Sequence, residues 1–63
     1  MPYDQQFGLF EDGEEGPLWR AFFSDVEDAK ARAQIFADDE GRVFFVYNLK
    51  DSTVIKRVFP SRA

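Results

Sequence analysis

The chain has no cysteine and no histidine among its 63 residues. Without cysteine there is no disulfide staple, no thiolate nucleophile and no cysteine-ligated zinc. Without histidine the usual general base near neutral pH is missing, and so is the commonest metal ligand. No apolar run approaches the length of about eighteen residues that a membrane-spanning helix requires. Residues 1–9 hold neither a basic cluster nor a long apolar stretch, so no secretory signal is expected and the protein is read as cytoplasmic. The length allows one small domain over residues 1–63, and a chain this short buries only about 60% of its unfolded surface.

What is present is largely aromatic. Phe, Trp and Tyr make up 17% of the chain, and eight of them are Phe. With 44% apolar and 32% charged residues the composition is globular rather than disordered. The net charge of −4 argues against nucleic acid as a partner. That charge is uneven along the chain. Residues 1–40 carry eleven acids against three bases, whereas residues 41–63 carry five bases against Asp51 alone.

Residues 3–10 read as an extended segment, with Tyr3, Gln5, Phe7 and Leu9 on one side and Gly8 and Phe10 on the other. Residues 11–17 place two glycines and a proline among acids, which is turn chemistry. Residues 18–23 then read as a second strand, with Trp19, Ala21 and Phe23 on one face and Leu18, Arg20 and Phe22 on the other. The two segments make a hairpin.

Ser24-Asp25-Val26-Glu27 is a capping box, with the Ser24 hydroxyl as the expected cap. Val26, Ala29, Ala33, Phe36 and Ala37 follow at helical spacing within one stripe, and Gly41 is a left-handed stop signal. The spacing predicts a helix over 25–39. An alanine stripe lets such a helix approach a sheet closely and leaves room for rings from the strands. Two features run against local rules. Ile35 lies opposite the stripe, and Asp38, Asp39 and Glu40 put negative charge at the negative end of the helix dipole.

Residues 42–47 are a β-branched and aromatic run without alternation, the mark of a strand covered on both faces. Residues 48–52 supply a turn. Residues 53–59 form the last strand, with Val54, Lys56 and Val58 on one face and Ile55, Arg57 and Phe59 on the other. Either Val54 or Ile55 can pair with Tyr47.

The order β-β-α-β-β predicts an α+β two-layer ββαββ domain, a four-stranded and mainly antiparallel sheet with one helix packed on one face. A helix of fifteen residues is about 22 Å long and roofs one side only. The other side should be polar, yet every orientation of these strands leaves large apolar groups on it. Something is expected to cover them, and a second copy of the chain is the simplest cover. The expected function is therefore a non-catalytic protein-interaction module, a homodimer that needs no cofactor. Leu18, Phe22, Phe44 and Val46 are the expected contact, with Arg20 at its rim and Ile35 as a secondary contact. A different protein on the same surface is the second candidate.

Other chemistry is weaker. The acidic segment 11–15 lacks the spacing of a calcium loop, and Ser24 has no base to activate it, so neither metal nor catalytic residue is expected. The alternative function is nucleic-acid binding through the basic C-terminal hairpin. There Phe44, Phe45 and Tyr47 interleave with Arg42, Lys50, Lys56 and Arg57, as in single-strand binders.

Overall fold

In the computed structural model, which describes residues 6–61, the chain runs β1 (Phe7–Gly13), β2 (Gly16–Phe23), α1 (Val26–Glu40), β3 (Phe44–Asn48) and β4 (Thr53–Val58). The strands form one antiparallel sheet in the order β2-β1-β3-β4, with the helix packed on one face. This is the α+β ββαββ architecture that the order of elements predicts. The two hairpins lie side by side, so β1 and β3 are central and β2 and β4 are the edges. Tyr3 and Gln5, expected to extend the inner side of β1, lie outside the described residues.

The helix is set by its alanines. Ala29, Ala33 and Ala37 have no exposed surface, and their small side chains bring the helix down onto Leu9, Phe44, Val46 and Val58. Its start differs by one residue from the expectation. Asp25, not Ser24, is the cap: its backbone is extended, and its carboxylate accepts from the Asp28 N–H at 3.2 Å. A carboxylate there adds charge–dipole attraction that a hydroxyl lacks. Gly41 ends the helix as expected, at φ 67°, donating its N–H to the Ala37 carbonyl at 2.8 Å.

The first hairpin is tighter than the turn signals suggest. Residues 11–13 and 16–17 belong to the strands, leaving Glu14 and Glu15 as the turn between paired Gly13 and Gly16. Acids are tolerated inside β1 because cations from elsewhere in the chain meet them. Glu11 accepts from Arg20 at 3.0 Å and from Arg42 at 2.9 Å, and Asp12 pairs with Arg57.

Each edge strand carries an irregularity in its register. Leu9 pairs with Ala21 but Phe10 pairs with Trp19, so Arg20 is the extra residue of a bulge in β2. In the second hairpin Tyr47 pairs with Val54 while Val46 pairs with Lys56, which makes Ile55 the extra residue in β4. The bulge is why Val54 and Ile55 both look acceptable as partners of Tyr47 by sequence.

Candidate functional site

The register assigns each strand residue a side. Toward the helix point Phe7, Leu9, Ala21, Phe23, Phe44 and Val46, all members of the core or packed against it. Toward the opposite side, one row across the sheet reads Trp19, Phe10, Phe45, Arg57, and the next reads Phe22, Gly8, Tyr47, Val54. The described residues hold one helix and one sheet, and none of their elements covers this second side.

The rings on this open face hold one another. Phe10 and Phe45 are stacked, with centroids 5.4 Å apart and planes 11° apart. Tyr47 meets both edge-on, at 6.0 Å from Phe10 and 6.5 Å from Phe45. On its other flank Phe45 lies under the Arg57 guanidinium, 5.7 Å from the ring centroid. Trp19 and Phe22 form a second pair at 5.2 Å on the β2 side. The space above Gly8 is taken by the Phe10 ring, so close that a Cβ there would sit 2.6 Å from a ring carbon.

Coverage falls from the centre of this face to its β2 edge. Phe45 is only 7% exposed because Phe10 and Arg57 flank it. Trp19 is 56% and Phe22 46% exposed. A shallow, mostly apolar depression of about 290 Å³ lies between Phe10, Pro17, Phe45 and Tyr47.

This assignment moves several expected contact residues. Phe44 and Val46 have no exposed surface and lie beneath the helix, so neither can form the contact. The run 43–47 is apolar throughout, and its alternation gives two equivalent choices of face; packing against the alanine stripe selects Phe44 and Val46. Arg20 also faces the helix side. Its guanidinium sits 5.2 Å from the Phe36 ring and 5.4 Å from Phe44, and bridges Glu11 to Glu40. Leu18, opposite Glu11, borders a cleft of about 420 Å³ on that same side with Glu14, Glu15 and Arg42. Phe22 alone of the strand residues keeps its expected place on the open face. Ile35 is exposed on the helix flank, beside a depression it shares with Phe23, Ala31 and Arg32.

Trp19, Phe10, Phe45 and Tyr47 are the open-face residues that the sequence reading passes over as contacts. For Trp19 the hidden signal is the bulge: one extra residue reverses the alternation, so Trp19 leaves the side of Ala21 and Phe23. Two of the three charges at the end of the helix, Glu40 and Asp38, also find their reason. Arg20 donates to both Glu40 oxygens, at 3.0 and 2.7 Å. These hydrogen bonds hold the Glu40 carboxyl below its ordinary range and raise Arg20 above its own. Asp38 accepts from Gln34 at 2.9 Å and from the Ser61 N–H at 2.8 Å, fastening the segment after β4 to the helix.

Among the described residues no helix is long and apolar enough to cross a membrane, and no group of acids is arranged to hold a metal ion. Comparison with known protein families, with curated proteins and with solved structures finds no match to this chain.

Proposed function

We propose that the protein is a non-catalytic, cytoplasmic interaction module that self-associates through the open face of its sheet. The observation that carries this reading is the aromatic patch of Trp19, Phe22, Phe10 and Tyr47, with Trp19 and Phe22 about half exposed on a face that no described element covers. Contiguous apolar patches of this sort mark association sites, and burying one such side chain fully is worth about 1.5–3 kcal/mol.

A second copy is the simplest occupant, because a two-fold dimer uses one patch twice. Both edge strands are bulged, a device that discourages pairing along the edges and leaves the face as the surface for association. Four strands spaced about 4.8 Å apart make a narrow face, so the dimer belongs at the small end of specific interfaces, about 1,200 Å² or less in total. A concentration-dependent equilibrium is expected.

Sedimentation over a wide concentration range tests this. The apparent mass should rise from 7.3 kDa toward twice that value. Trp19→Ser with Phe22→Ser should hold it at the monomer value while circular dichroism and thermal unfolding stay close to the parent. A parent chain that remains at 7.3 kDa throughout would falsify the reading.

Single-stranded nucleic acid is the second reading, favoured by aromatics on the two central strands beside Arg57. Against it, the faces of Phe45 are taken by Phe10 and Arg57, and Arg57 is paired with Asp12. Salt-sensitive binding of a single-stranded oligonucleotide by a monomeric chain would establish this reading over the first.

A further inference from the structure

We infer that Gly8 is a positioning residue for association: it lets the Phe10 ring lie down on the sheet and so keeps the open face low enough to pack against a partner. The inference rests on the self-association proposed above and adds the position that shapes the face.

Glycine weakens the interior of a strand, because it has no side chain to pack, and it marks places of close approach. Gly8 lies in β1, a central strand, between Phe22 of β2 and Tyr47 of β3. It is buried even though its side of the sheet has no second layer among the described residues. The cover is Phe10, two residues further along the same side of β1. A Cβ added at residue 8 would lie 2.6 Å from one carbon of that ring and 3.4 and 3.5 Å from the carbons bonded to it. The φ of Gly8 is not positive, so the backbone itself would accept alanine. Space, and not conformation, is what requires glycine here.

The absent side chain leaves a notch between two large rings, and Phe10 tips into it. There it meets Tyr47 edge-on at 6.0 Å while stacking on Phe45 at 5.4 Å. A methyl group at residue 8 would close the notch. The atom it meets is near the far end of a side chain that turns about two torsions, so the ring yields and the strand does not. Phe45 blocks the β3 side, which leaves the ring to move outward and over the depression beside Pro17. A concave surface thereby becomes a raised one.

Height matters on this face. Sheets packed face to face stand about 10 Å apart, and the inner side chains of both must share that gap. A raised ring takes a larger share of it and holds the partner off. In a two-fold dimer the same obstruction occurs twice.

A double-mutant cycle tests the role of Gly8. Sedimentation should give Gly8→Ala a dimer Kd about tenfold weaker than that of the parent, since contacting residues couple and the change counts twice. At a concentration where the parent is monomeric, the urea midpoint of Gly8→Ala should equal or exceed the parent's, because alanine suits a strand better than glycine. Phe10→Leu removes the ring that the methyl displaces. In that background, adding Gly8→Ala should change the Kd by less than about twofold. A dimeric parent whose Kd is unmoved by Gly8→Ala, or moved equally in both backgrounds, would overturn the role of Gly8 and leave self-association standing. A urea midpoint that falls along with association would assign Gly8 to the fold alone and overturn the role in the same way. A parent that sediments as a monomer throughout would remove both.

Discussion

Phe44 and Phe45 are the same residue type, adjacent in β3, and both are buried, at 0% and 7% exposure. They are buried in different ways. Phe44 lies under a helix whose alanines let it come close, with the Phe36 ring edge-on at 5.6 Å. Phe45 is covered only sideways, by Phe10 from β1 and Arg57 from β4. One residue belongs to a closed core, and the other belongs to a surface that covers itself incompletely. Similar exposure therefore conceals two different supports, and substitution should separate them.

The largest expected effect is on the closed side. Phe44→Ala opens a cavity under the helix and should cost about 3–5 kcal/mol. A core of this size supplies only about 3–5 kcal/mol, so the variant should be mostly unfolded in water. Phe45→Ala removes ring contacts and cross-strand packing, for which about 1–2 kcal/mol is the expected loss, and the fold should survive. Urea denaturation of the two variants makes the comparison directly. Equal losses would mean that the open face is as essential to the monomer as the core, and would undercut its reading as a surface kept for a partner.

Arg20 offers the next test, because it sits where the two sides meet at the β2 edge. Its guanidinium joins exposed Glu40 and buried Glu11 while lying over the Phe36 and Phe44 rings. Arg20→Met keeps the apolar stem and removes the hydrogen bonds. Glu11 retains Arg42, at 2.9 Å, so the expected cost is about 1–3 kcal/mol rather than that of a fully orphaned buried charge. Self-association should be unchanged, since the side chain faces away from the open side. A loss of dimer without a loss of stability would put Arg20 at the interface after all, where the sequence reading expected it.

The order of elements, the helix and the excess of apolar strand surface are all legible in the sequence, because each depends on local signals. The alanine stripe and Gly41 fix the helix within a residue or two. What the sequence hides is relational. An unbroken run such as Val43, Phe44, Phe45 and Val46 has no polar position to mark its outer side, so the choice of face falls to packing. The bulge at Arg20 shifts Trp19 to the open face through a pairing irregularity that no residue type announces. Glu11 and Asp12 resemble turn residues until their cations are known, and Arg42 and Arg57 arrive from 31 and 45 positions further along.

The smallest expected effect concerns pH, and it too separates the two sides. The Arg20 hydrogen bonds hold Glu40 below its ordinary range in the folded chain. A carboxyl with a lowered folded pKa contributes stability that is present above its unfolded value, about 4.3, and is lost as pH falls through the folded value. Arg20 is raised from an already high value, so it stays charged and adds no second transition. The thermal midpoint should therefore be level with respect to Glu40 near neutrality and lose this contribution on acidification below about pH 4.3. The midpoint of Arg20→Met should fall less steeply over that acidic range, whereas Trp19→Ser with Phe22→Ser, altered only on the open face, should follow the parent's slope. Parallel curves for Arg20→Met and the parent would remove the Arg20–Glu40 contact as a source of acid sensitivity. A flattened curve in the open-face variant would show that acid sensitivity comes from association, and with it the electrostatic contrast between the two sides would fail.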